Sequence, residues 1–321
     1  MESRKNTSKK NPILKTPPRI GFFSFIMVIS LNCLISCKSA PKRAMIITSV
    51  YNSAFEEIAS ANGCILTGDY ATASALLDQA YIKAMSIDNY ELLVSSSLSY
   101  ISLTLSYKAA KIDEAYAYLK RAKEFVPYSS MQKKQEALIT LNEIRIKTSE
   151  LTSAASQNFD LQALLKDLIQ AEQIIKDDPY YLAQFKSAAA DLYKAKKDYI
   201  SADQLYVEAA QMYTKKRYLS EIGITWYKAA QVRSLAEKKS AALEALENAI
   251  YYDRAAENSL ALGTDYYAKG TILLKGNPGQ SEKKEAQFAF RHSAAIFDSI
   301  SQHELAQRST KKAEELQEKQ Q

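Results

Sequence analysis

From about residue 44 onward, apolar residues return every three or four positions and strict alternation is nearly absent, so the chain reads as a succession of amphipathic helices with no convincing strand. Ala, Leu, Ile, Tyr, Glu, Lys and Gln fill these segments, and most of them favour helices. Punctuation divides the run. Pro127, Pro179 and Pro278 fall in FVPYSS, DDPYY and GNPGQ, where a helix has to stop, while Gly68 with Asp69 and Lys197 with Asp198 mark tighter breaks. The pattern predicts helical hairpins over 45–66/70–86, 90–109/112–125, 131–152/160–176, 180–196/199–214, 219–236/240–252 and 257–275/281–300, then a terminal helix over 302–318.

Hairpins of such even size point to an internal repeat. In KIDEAYAYLKRAKEFVP the second helix carries Ala115, Leu119, Ala122 and then Pro127. The same series is Ala73, Leu77, Ala80 after Gly68-Asp69-Tyr70, then Ala202, Tyr206, Ala209 with Tyr193 upstream, and Ala242, Leu246, Ala249 with Trp226 upstream. Gly270 follows Tyr266 by four residues before the GNPGQ insertion shifts the register. These spacings resemble the tetratricopeptide repeat, TPR, in which small alanines let the two helices of a hairpin approach while larger residues fill the gap to the next hairpin. The resemblance implies an all-α fold, a right-handed α-solenoid of TPR-like helical hairpins over residues 45–318. Successive anchor alanines lie about 40 residues apart, against ~34 in a TPR, and the 131–176 hairpin matches worst. An unrelated helical bundle is the alternative.

The first 36 residues have a different character. A polar, basic stretch over 1–19 leads to the apolar IGFFSFIMVISLNCLI of residues 20–35, followed by Ser36 and Cys37, the order of a secretory signal. Leu34, Ile35, Ser36 and Cys37 resemble the lipobox of bacterial lipoproteins. That resemblance implies a signal peptide over 1–36, cleavage before Cys37, lipid attachment to the Cys37 thiol, and a short tether over 37–44 that holds the folded part near a membrane in the cell envelope. An uncleaved anchor would need roughly 20 apolar residues, whereas this run is shorter and is interrupted by Ser24, Ser30 and Asn32.

Loss of the leader changes the charge argument. The whole chain has a formal charge of +6, but residues 1–36 hold six basic residues and one acidic, so 36 cations and 35 anions remain after cleavage. Without a basic stripe, nucleic acid is not an expected partner. Of the remaining cysteines, Cys37 carries lipid and Cys64 lies among Ile58, Ala61 and Ile65 as a small core residue, which leaves no intrachain disulfide.

Catalysis finds little material. His292 and His303 are eleven residues apart, and a turn near 299–302 is expected to separate them as surface residues. No phosphate-binding glycine loop, HExxH or GxSxG occurs, so neither a metal nor a cofactor is expected and the chain is read as a non-enzyme. Tyrosine is abundant at 21 residues, and it suits recognition surfaces because it joins apolar area to a polar tip. Counting fifteen back from Ala115 and Ala242 reaches Tyr100 and Tyr227, a position that faces the concave groove in TPR proteins, and the Gly270 anchor places Tyr267 likewise. Gln231, Asp191 and Lys194 join them as candidate partner-binding residues; the alternative makes the tyrosines inter-repeat core. The expected function is a membrane-tethered scaffold that binds a peptide or protein, in the manner of TPR lipoproteins that serve as assembly factors, pilotins or transporter accessories. The alternative is a solute-handling protein with a pocket for a small hydrophobic ligand.

Overall fold

A computed structural model describes residues 48–107, 111–152 and 159–318. The leader, Cys37 and the whole tether lie outside the described residues. Thirteen α-helices follow one another among the described residues: α1 (Ser49–Thr67), α2 (Tyr70–Ser86), α3 (Tyr90–Ser106), α4 (Ile112–Phe125), α5 (Gln132–Thr152), α6 (Leu161–Ile175), α7 (Pro179–Ala195), α8 (Tyr199–Lys216), α9 (Leu219–Leu235), α10 (Lys239–Ala255), α11 (Ser259–Leu273), α12 (Gln280–Ser299) and α13 (His303–Glu318). The predicted boundaries hold to within about three residues at nearly every end, and none of these helices is long and apolar enough to cross a membrane.

One turn recurs between helices. The residue after the last turn takes a left-handed conformation at Gly68, Asp88, Lys197, Arg217, Glu237, Glu257 and Ser301. The next residue sends its N–H back to the carbonyl five positions earlier, as in Asp69 to Cys64 at 2.9 Å, Asp198 to Tyr193 at 2.9 Å and Asn258 to Asp253 at 2.9 Å. That is the Schellman closure of a helix C-terminus. The same residue then serves as N-cap of the following helix, and Asp69, Asn89, Asp198 and Asn258 accept a hydrogen bond from the helix they open. Two residues thus end one helix and begin its antiparallel neighbour, which explains the even hairpins.

Within each hairpin the second helix turns small and large residues inward at spacings of four and three. Ala73/Leu77/Ala80, Ala115/Leu119/Ala122, Ala202/Tyr206/Ala209 and Ala242/Leu246/Ala249 are all buried, as the repeat pattern requires. Two further triads complete the set, Leu164/Leu168/Ala171 in α6 and Ala286/Phe290/Ser293 in α12. Gly270 receives the Phe290 ring so closely that an added Cβ would lie 2.8 Å from it. The described chain is therefore an α-solenoid of six TPR-like hairpins with α13 packed on the last. Cys64 is a partly buried free thiol against the N-terminal core.

The array also meets itself. Asn258, at the start of α11 and fully buried, donates from Nδ2 to the Leu66 carbonyl near the end of α1 at 3.1 Å. Leu260 lies over Gly68, where an added Cβ would come within 2.4 Å of its side chain. The sixth hairpin thus touches the first, and the first helices of the intervening hairpins are wrapped around a common interior.

Candidate functional site

Those first helices supply the walls of a cavity of about 680 Å³. Leu105 comes from α3, Arg145 and Thr148 from α5, Asp191 and Lys194 from α7, Tyr227 and Gln231 from α9, and Tyr267 and Ile272 from α11. On α5, α7, α9 and α11 the lining residues recur three or four apart, so each of these helices turns one stripe inward, while α3 contributes Leu105. Five candidates from the sequence, Tyr227, Tyr267, Gln231, Asp191 and Lys194, are brought together here.

Tyr100 is not. It is 5% exposed, stacks on Tyr118 with ring centroids 4.5 Å apart, and gives its hydroxyl hydrogen to Asp78. Burial and that carboxylate push its pKa well up. The count back from Ala115 fails because five residues, 107–111, join α3 to α4, whereas three, 236–238, join α9 to α10. Two extra residues turn the helix by about 200°, and the α3 residue that lines the cavity is Leu105. Tyr100 belongs to the core between α2, α3 and α4.

Tyr267 is held from outside the array. Arg308 of α13 lies 4.6 Å above its ring and donates from Nε to its hydroxyl at 3.0 Å, while Phe290 meets the ring edge. Burial pushes the Tyr227 hydroxyl up, opposed by Gln231 one turn away and by Arg308. Asp191 anchors the charged part of the wall. It accepts from Tyr206 Oη at 2.6 Å and Lys228 Nζ at 2.8 Å, with Lys194 farther off at 3.9 Å. Burial alone would raise Asp191, but Lys228, Lys194 and the Tyr206 hydroxyl outweigh it and hold the carboxylate below its usual range. Lys194 moves down as well, since burial and the Lys228 charge outweigh Asp191. At 2.8 Å against 3.9 Å for Lys194, Lys228 is the closer ion-pair partner of Asp191.

Arg145 was missed by sequence reasoning. Its Nη1 donates to Ser102 Oγ and Asn142 Oδ1, both at 3.2 Å. Burial pulls its pKa down against the field of Asp191. The available signal was its place in NEIRIKT between Ile144 and Ile146, both buried, in the hairpin that matched the repeat worst. The two histidines lie elsewhere: His292 packs against Tyr266 and Phe288, and His303 sits beside Asp298 across the α12–α13 turn.

No protein-family model matches the chain, and no curated protein is detectably similar to it in sequence. Solved structures do resemble it in outline. The apo form of RapI aligns with a TM-score of 0.47 at 14% identity, over 83% of this chain and 98% of that one. A signal-transduction ATPase with a tetratricopeptide repeat sensor from Pyrococcus horikoshii gives 0.46 at 16%, over 84% and 42%. Aspartyl phosphate phosphatase F from Bacillus subtilis gives 0.47 at 11%, over 94% and 76%. Likeness at this level carries no functional argument, and the assignment as TPR-like rests on the turns, buried triads and hairpin order described above.

Proposed function

We propose that this chain is a non-catalytic binding protein that takes a peptide or a segment of a protein partner into its concave cavity, and that a lipid on Cys37 tethers it to a membrane of the cell envelope. In this reading residues 1–36 are a signal peptide, 37–44 the tether and 45–318 the binding domain. The observation that supports it is the convergence of Tyr227, Gln231, Tyr267, Asp191 and Lys194, from three successive first helices, on one cavity. Aromatic surface with polar tips, an amide and fixed charges are the means by which a rigid groove holds a polypeptide.

Crosslinking and affinity purification of the intact protein from its native envelope tests this against a Tyr227→Ala/Tyr267→Ala variant. Loss of a polypeptide partner with helicity unchanged is expected. A partner kept at full yield would overturn the cavity assignment. Cys37→Ser is expected to abolish acyl labelling and release the protein; retained insertion would favour an uncleaved anchor. The cavity volume of about 680 Å³ also lies within the range of small-molecule pockets. A lipid or metabolite found by native mass spectrometry, in place of a peptide, would move the function to solute handling.

A further inference from the structure

The charges around the cavity do not balance. Among the described residues Arg145, Lys194 and Lys275 line it as cations, and Asp191 is its sole lining acid. That acid is already engaged by Lys228 and Tyr206. Lys275 gives its ammonium to a neutral acceptor, the Ser234 carbonyl at 2.9 Å. Among the described residues Arg145 has no carboxylate within ion-pair distance, and the hydrogen bonds of its guanidinium run from Nη1 to two neutral groups.

Three partly buried cations elsewhere are treated differently. Arg233 has Asp203 at 2.8 Å, Lys186 has Glu172 at 3.3 Å, and Lys269 lies between Glu247 at 2.7 Å and Glu285 at 3.1 Å. A guanidinium cannot escape burial by losing its proton. A half-buried one without an anion is therefore a standing demand for one.

We infer that the cavity recognises a carboxylate, and that its occupant is an acidic peptide segment whose carboxylate docks on the Arg145 fork in the field of Lys194 and Lys275. The inference rests on the peptide-binding reading of the same cavity. The planar guanidinium suits a carboxylate through two parallel hydrogen bonds. Tyr227, Leu235 and Ile272 supply apolar wall for the neighbouring side chains. The lining carries two more positive than negative charges, enough for one or two carboxylates and too few for a polyanionic strand.

The test uses the full-length chain in detergent and two arrays of random decapeptides. One contains Asp and Glu with free C-termini; the other replaces them with Asn and Gln and has amidated C-termini. Wild type is expected to prefer the acidic array at least about tenfold, a reading for two charge-assisted hydrogen bonds. Arg145→Gln is expected to abolish the preference while binding to the neutral array persists. Arg145→Lys, which keeps the charge and loses the fork, is expected to fall between them.

Thermal unfolding separates this role from a structural one. Arg145→Gln is expected to raise the Tm of the unliganded protein, because a charge without a counterion leaves the interior. A lowered Tm with the preference intact would mean that Arg145 serves only to brace Ser102 and Asn142, and would overturn the inference. Equal binding of both arrays, lost in Tyr227→Ala, would overturn the carboxylate inference and leave peptide binding standing. Binding of neither array, with dodecanoate bound in an Arg145-dependent way, would overturn both in favour of a small carboxylic acid.

Discussion

Asp253 and Asp265 are 0% and 1% exposed and face each other between α10 and α11. Among the described residues no hydrogen-bond donor other than the pair itself reaches either oxygen of Asp253, or Oδ2 of Asp265. Burial, and for Asp265 the neighbouring carboxylate, raise both pKa values, so the pair makes sense as a carboxyl that donates its proton to its partner. In the unfolded chain each would titrate at about 3.9. The folded state therefore holds more protons than the unfolded state above that pH, and stability falls as pH rises through the raised folded values. Asp265→Asn supplies a permanent donor to Asp253 and removes one ionisation. It is expected to stabilise the protein by roughly 1–3 kcal/mol near pH 8 and to gain little near pH 4, as read by urea denaturation at the two pH values. Equal gains at both would mean that the pair does not share a proton. Tyr100, once expected at the groove, gives the opposite kind of prediction. Tyr100→Ala should destabilise by about 3–5 kcal/mol, as a large aromatic truncation in a core does, while a groove residue would change binding and leave the denaturation midpoint nearly unmoved.

At the scale of the helix, the two-residue turn accounts for what the sequence disclosed and what it hid. Asp69, Asn89, Asp198 and Asn258 cap helices in the structure, and such capping residues are visible before any coordinates exist. The left-handed residue ahead of the next helix is legible at Gly68 but not at Lys197, Arg217, Glu237 or Glu257, which carry no mark of that conformation. In α12 the triad ends on Ser293 and was hidden; elsewhere the buried triads were legible wherever the first member is alanine. In α6 that place belongs to Leu164, which hid the triad and made its hairpin look like the poorest repeat. Tyr100 failed for a related reason, since a count across a connection assumes its length. A left-handed conformation disfavours an L-residue by roughly 1–2 kcal/mol, part of which a glycine returns through greater freedom when unfolded. Lys197→Gly and Glu237→Gly are each expected to stabilise by about 0.5–1 kcal/mol, and Asp198→Ala to destabilise by about 0.5–2 kcal/mol through its lost cap. Chemical denaturation checks all three, and a glycine that destabilises at either site would mean that the turn is not left-handed there.

Across the whole molecule, the contact between α11 and α1 spans 192 residues of sequence, and no local pattern announces it. The same is true of Arg145, whose role depends on which helices face a shared interior. Asn258 joins the local and the global scale in one side chain: Oδ1 accepts from Ala261 N at 3.2 Å to cap α11, and Nδ2 donates to the Leu66 carbonyl at the end of α1. The two roles can be separated. Asn258→Asp keeps the capping oxygen, removes the donor and sets a negative charge beside helix-end carbonyls, where the dipole disfavours it. If the closure is what Asn258 maintains, amide exchange should accelerate in the last turn of α1 while the first turn of α11 stays protected, and acidic peptides should bind more weakly because the first helices no longer enclose them. Asn258→Ala should loosen both places. Exchange that rises in α11 alone, in either variant, would mean that the first and sixth hairpins do not depend on this side chain to stay together, and the cavity would then owe its shape to the successive packing of neighbouring hairpins.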